Sequence, residues 1–299
     1  MNNAYFRKEE EILSKQKVLT PAKITWNKLK RNKLAVFGTI ILSLLILLSI
    51  IAPIISPYGR DTVDLLNIES VPTAKHILGT DELGRDIFTR IIYGGQVSLS
   101  VGVLATIIQL AIGITLGAIA GYFGGIADKI IMRFVDIIMC FPFMVIAITI
   151  ASILGPSIWN VMIIIGILGW PKIARIVRAE ILSLKEREFI EAAKALGLDS
   201  KDIILKHIIH NIYAPIIVYG TLGIAQGILS EASLSFLGMG VKQPQPSWGN
   251  MLSAAQNMRV LQSEWWLWVP PGLLVFLTII SINFLGDGLK DALDPKIKA

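Results

Sequence analysis

The 23 residues from Leu34 to Ser56 carry no charge. At the helical rise they reach about 35 Å, more than the roughly 30 Å of a bilayer's hydrocarbon core. A soluble helix buries one stripe and keeps polar residues on its other face, and this block has no such face. It predicts a membrane-spanning helix. Five further apolar blocks follow, at roughly Ser98 to Tyr122, Phe134 to Leu154, Ile158 to Ile176, Ile212 to Gly238 and Trp268 to Gly286. With 54% of 299 residues hydrophobic and 17% charged, the composition is that of a polytopic membrane protein. The expected fold class is therefore all-α with six transmembrane helices. The first block exceeds a signal peptide's apolar stretch and no Ala-x-Ala site follows it, so it is expected to be an uncleaved anchor.

Six spans place both termini on one side, and the cations choose the side. Nine Lys and Arg precede the first block, two lie between the second and third, eight run from Lys172 to Lys206, and three follow the sixth, leaving six of 28 opposite. Short cytoplasmic loops are rich in cations, so both termini and the polar segment after the fourth block are expected in the cytoplasm. The net charge of +6 then reflects topology and anionic headgroups, and no nucleic-acid partner is expected.

The chain divides into a basic cytoplasmic segment 1–33, a first transmembrane helix 34–56, an extracytoplasmic segment 57–97, and a core 98–299 that contains the polar segment 183–215. Segment 1–33 is amphipathic and ends in Trp26, Lys28, Lys30, Arg31 and Lys33, which suits anchoring at a lipid surface. Trp265, Trp266 and Trp268 are expected to form an outer interfacial belt. Cys140, the sole cysteine, excludes an intrachain disulfide and is expected to be a small buried hydrophobe. No GxxxxGK[ST] phosphate loop and no HExxH occur, which argues against nucleotide binding by that loop and against a zinc membrane protease.

Between the fourth and fifth blocks, Phe189, Ala192, Ala193 and Leu196 recur at helical spacing, with Glu186, Arg187, Glu191 and Lys194 on other faces. Gly197 suits the left-handed position that ends a helix, and Asp199 or Ser200 can open the next one, which runs through Ile203, Ile204 and His207. The residues alone allow either an ordinary surface hairpin or a docking element whose alanines admit a partner's backbone. His207 and His210 share a helical face, but two ligands without a third make a poor zinc site. No metal site is expected.

The run Glu191-Ala192-Ala193 with Gly197 resembles the EAA signature of permease subunits of ATP-binding-cassette importers. Three further stretches are similar to the dipeptide, oligopeptide and nickel permeases of that family. They are His76-Ile77-Leu78-Gly79-Thr80-Asp81 with Gly84-Arg85-Asp86 and Arg90, then Ser183 to Phe189, and Glu231 through Gly238 to Pro246-Ser247-Trp248-Gly249. The resemblance as a whole covers roughly residues 25 to 295. The sequence departs from the pattern at Gln96 for arginine, Gln243-Pro244 for Pro-Pro, and His210 for proline, with Pro215 available to take over the helix stop. The resemblance implies a type I importer permease fold in a bacterial plasma membrane, with no catalytic residues and no cofactor in this chain. It also implies a second homologous permease, two cytoplasmic ATPases that bind ATP and magnesium, and an extracytoplasmic binding protein. Glu186, Phe189, Glu191, Ala192, Ala193, Leu196 and Gly197 would form the helix that couples to an ATPase. Asp81, Arg85, Asp86, Glu231 and Trp248 would be candidates for the outer gate or pathway, and the cargo would be a di- or oligopeptide, or alternatively nickel or a metal chelate.

Charges inside the spans test another class, an ion-driven carrier, for which only Asp136 and Glu231 qualify. Asp136 is expected to pair with Arg133 one turn earlier. Glu231 must face the bundle interior, where it either lines a pathway or holds the loop around Trp248. Gln109, Gln226, Ser230, Ser233, Asn160 and Asn283 are further candidates for a polar lining.

Overall fold

A computed structural model describes residues 21–293, so expectations for residues 1–20 lie outside the described part. The main helices are α1 (Pro21–Arg31), α2 (Lys33–Ile50), α3 (Ile87–Phe123), α4 (Gly125–Cys140), α5 (Phe143–Leu154), α6 (Ile158–Lys185), α7 (Glu188–Ala195), α8 (Tyr213–Phe236), α9 (Trp248–Leu252) and α10 (Trp265–Leu293). Among the described residues the only β pairing is an isolated bridge between Thr80 and Asp86.

Helices α2, α3, α6, α8 and α10 are each long and apolar enough to cross a membrane. The sixth crossing corrects the expectation of one straight helix from Phe134 to Leu154. Helices α4 and α5 meet at an 86° bend. Pro142 has no N–H to donate and disfavours helical backbone at Phe141, which adopts φ −96° and ψ 141°. The pair still runs from one end of the bundle to the other. Asp128 on α4 pairs with Arg178 near the end of α6, while Ala147 and Ala151 on α5 pack with Val161 and Ile165 near its start.

Helix α3 starts 11 residues before its apolar block and is 37 residues long, about 55 Å at the helical rise. Its first turns therefore stand in the outer segment. They begin at Asp86, whose carboxylate accepts the Thr89 amide at 2.8 Å as an N-cap. Helix α6 packs parallel along α3 through Gly113, Gly117 and Gly121. A Cβ at those positions would come within 2.6 Å of Ile173 Cβ, 2.7 Å of the Ala174 carbonyl oxygen and 2.9 Å of Ile181 Cβ, so small residues here allow close helix contact. Helix α2 is peripheral. It buries Ala35, Gly38, Leu45 and Ser49, while Leu34, Phe37, Ile40, Leu44 and Leu47 remain exposed.

The end of α10 returns to the start of α2, where Gly288 meets Ala35 and Leu29. That end also carries α7. At the other end, residues 57–86 and 237–264 fold over the bundle. Two local expectations change there and at the bend. Of the three tryptophans, Trp265 is exposed but Trp266 is buried with Ile87, Ile91, Met251 and Leu267, and Trp268 packs against the same cluster. Cys140 is exposed at the end of α4.

Candidate functional site

Helix α7 ends as its sequence dictates. Gly197 has φ +77°, its amide donates to the Lys194 carbonyl at 3.0 Å, and the Leu198 amide donates to the Ala193 carbonyl at 3.2 Å. This is a Schellman corner, in which glycine avoids the Cβ penalty of left-handed backbone. The helix is held from below by Ile190, fully buried, and Ala193, 5% exposed, packed with Ala118, Tyr122, Val177, Ile181 and Ile203. Ala193 therefore anchors the helix and is withdrawn from the expected docking stripe. Ile190, one turn earlier on the same face, is the anchor that the periodicity of alanines obscured. Glu186, Phe189, Glu191, Ala192, Leu196 and Gly197 are exposed, with Leu196 80% exposed. The next helix widens to a π-helical turn over Ile203–Ile208. Asp199 opens it without a side-chain cap. Pro215 does not stop it but lies in the first turn of α8, where a missing N–H costs nothing.

At the outer end, the His76 to Asp86 motif is a tight loop with left-handed Gly79 and Gly84. Asp81 accepts the Leu83 and Arg85 amides at 2.9 Å and the Arg85 Nε at 2.7 Å. His76 Nδ1 lies 3.0 Å from Asp86. Arg85 and the buried Arg90 both donate to Gln243 Oε1, at 3.4 and 3.2 Å, and Arg90 also reaches the Pro244 carbonyl at 3.2 Å. Thus the Gln243-Pro244 departure is the point where both arginines converge. Gln96, another departure, donates to the Ser49 carbonyl at 2.7 Å and ties α3 to α2. Asp81 and Arg85 line an outer cavity of about 420 Å³ with Glu69, Glu82, Arg90 and Gln243.

The remaining outer candidates are buried within the fold. Asp86 is 4%, Glu231 0% and Trp248 1% exposed, so none presents a surface to cargo. Glu231 accepts hydrogen bonds from Ser98 Oγ at 2.9 Å and Ser235 Oγ at 2.7 Å. Those hydroxyls in turn accept the Trp248 amide at 3.1 Å and the Val241 amide at 3.2 Å. The carboxylate thus holds the loop from both sides. The Trp248 indole donates to the Ile91 carbonyl at 3.0 Å, and its ring lies against Gly94 and Gly95 of α3.

Inside the bundle, the α4–α5 bend opens a cavity of about 720 Å³ between α3, α6 and α8. Non-helical backbone at membrane depth must be sheltered by protein or line a cavity, and here it does the second. The walls are mostly apolar, with Gln109, Gln226, Ser230, Tyr219 and Lys172 as the polar groups. Gln109 and its neighbours were legible as candidates. Lys172 was not, because it stands among the cations that set topology. Asn160 instead caps the α5–α6 turn through the Leu154 and Gly155 carbonyls, and Ser233 donates to the Leu229 carbonyl within its own helix. Beneath the cavity two ion pairs join α4 to α6. Asp136 pairs with Arg175 at 2.9 Å rather than with Arg133, and Asp128 receives both Arg178 nitrogens at 2.5 and 2.6 Å.

Residues 113–299 match the family described as binding-protein-dependent transport system inner membrane component. The chain belongs to that family. Residues 20–72 match the N-terminal transmembrane domain of oligopeptide transport permease C. A dipeptide transport system permease protein of Alkalihalophilus pseudofirmus is 45% identical over 94% of this chain and 92% of its own length. A dipeptide permease of Bacillus subtilis is 40% identical over 91% and 85%, and a glutathione transport system permease protein of Escherichia coli is 41% identical over 96% and 94%. This chain is thus a multi-pass inner-membrane component of an ATP-binding-cassette importer, of the type I permease fold, which works with other subunits and is not an enzyme. The ion-driven alternative falls with this, and the two acids that raised it are both engaged, Asp136 by Arg175 and Glu231 by the two serines.

Proposed function

We propose that this chain forms half of the pathway of a di- or oligopeptide importer and that α7 is the lever by which ATPase subunits move it. The second half would be a homologous permease, with two cytoplasmic ATPases holding ATP and magnesium and an extracytoplasmic binding protein delivering cargo. The peptide cargo is carried over from the relatives, of which two are named for dipeptides. The placement of α7, α1 and the end of α10 at one end of the bundle, where the cations gather, supports a cytoplasmic location for both termini.

The observation that carries the lever is the two-faced character of α7. Phe189, Ala192 and Leu196 are open to a partner, while Ile190 and Ala193 are locked to the inner ends of α3 and α6. Burial of an isoleucine-sized side chain contributes about 2 kcal/mol, so a push on α7 is transmitted before the anchor gives way. ATP-driven closure of the ATPases would draw α7 and these helix ends together, reversing which side of the 720 Å³ cavity is open.

The reconstituted complex with Gly197→Pro tests this. Proline cannot adopt φ +77° and has no N–H for the Lys194 carbonyl. ATP hydrolysis should continue while peptide uptake is lost. Uptake that stays coupled to substrate-stimulated hydrolysis would show that α7 is not the lever.

A further inference from the structure

Lys172 is a cation of α6 for which the described residues supply no partner. It lies about 21 Å along α6 from Ile158 at the helical rise, well inside the span, and lines the 720 Å³ cavity beside Pro171. Among the described residues it makes no hydrogen bond or ion pair. The nearby acids are already engaged, Asp136 by Arg175 and Asp128 by Arg178. Lys172 is exposed, and an ionisable residue within a membrane-spanning helix marks function by default.

The direction of the side chain matters. Helix α6 runs from the outer end inward, and Cα–Cβ bonds tilt toward a helix's N-terminus, so Lys172 leans into the cavity and away from the cytoplasmic headgroups. The other polar groups there are two amides and the hydroxyls of Ser230 and Tyr219. Gln226 and Ser230 are one turn apart on the same face of α8, and Gln109 lies against Gly169, one turn outward of Lys172. Amide side chains can both donate to and accept from a peptide backbone, whereas an ammonium selects an anion. No acid lines this cavity to compete.

Building on the peptide-importer reading above, we infer that the cavity is a transient peptide site in which Lys172 receives the free C-terminal carboxylate while the exposed Gln226 meets the backbone amides. The peptide then travels carboxylate first, since Lys172 lies on the inner side of the amide groups.

Proteoliposomes holding the full complex and its binding protein, supplied with radiolabelled trialanine or trialanine C-terminal amide, test this. The ratio of acid to amide uptake is measured for the parent, Lys172→Gln and Lys172→Arg. Because the binding protein is the same throughout, its own preference cancels between variants. Lys172→Gln should lower the ratio by about fivefold to tenfold, up to about 1.4 kcal/mol, and Lys172→Arg should restore most of it. An unchanged ratio, or an equal fall for both peptides in an assembled complex, overturns the inference and leaves the importer reading standing. Failure of the parent to take up either peptide overturns that reading, and the inference with it.

Discussion

Replacing Glu231 separates a brace from a pathway residue. In Glu231→Ala, Ser98 and Ser235 lose the acceptor they share, at 2.9 and 2.7 Å, and their hydroxyls no longer orient toward the Trp248 and Val241 amides. Two buried hydrogen bonds of this kind are worth about 1–1.5 kcal/mol each, and the volume vacated at a fully buried site adds about 1–2 kcal/mol, for a loss of roughly 3–5 kcal/mol. Glu231→Gln keeps one carbonyl oxygen and its shape, and a serine hydroxyl can turn to accept the new N–H, so its cost is about 1 kcal/mol. Purified permease complex should therefore melt about 6 °C or more lower for the alanine variant and within a few degrees for glutamine, at roughly 2–4 °C per kcal/mol. Protease should cut the 237–247 loop faster only in Glu231→Ala, and Glu231→Gln should still transport. If the glutamine variant is stable but inactive, the negative charge itself serves transport and the brace account is wrong.

Two further outcomes follow from ion pairs at opposite ends of the bundle. Asp128→Ala removes the bidentate partner of Arg178 and should cost about 1–2 kcal/mol of thermal stability, of which the exchanged pair Asp128→Arg with Arg178→Asp recovers a part. A double variant no better than the sum of its single changes would show that the pair does not join α4 to α6. At the outer end, burial and then the neighbouring Glu69 push the Glu264 carboxyl above the ordinary carboxylate value, with Arg259 opposing them. The folded chain thus binds this proton more tightly than the unfolded chain, so the associated stability is present at low pH and is lost as pH rises from about 4.5 upward. Hydrogen exchange of residues 258–264, corrected for intrinsic rates, should accelerate as pH rises above about 4.5 relative to Glu264→Gln. Equal pH profiles for the two proteins would refute that coupling.

Local chemistry was readable along the chain. Apolar stretches about as long as a bilayer's core have few alternatives to spanning it, so five of the spans followed from block length, while the third block is broken into two helices. The corner at Gly197 needed only a left-handed residue after an amphipathic turn, and the period of α7 marked Phe189, Ala192 and Leu196, which are exposed, but also Ala193, which is buried beside Ile190. What resisted reading depended on partners distant in sequence. Pro142 announced a weak point, but the 86° bend and the cavity that accommodates it depend on α6 and α8 standing across from it. Asp136 had a suitable cation one turn away at Arg133 and took Arg175 on another helix, because geometry between helices, not spacing within one, decides such pairs. Glu231 was open to two roles until Ser98, distant by 133 positions, supplied its hydrogen bond. Lys172 was one more inner cation by sequence, and the fold distinguished it by setting it in the cavity wall while Asp136 and Asp128 pair with Arg175 and Arg178. The sequence alone thus determined where the chain enters the membrane and where the α7 helix turns, since those depend on solvent and backbone conformation. Only tertiary packing decided which polar groups are spent on holding the bundle together and which remain free to meet a cargo.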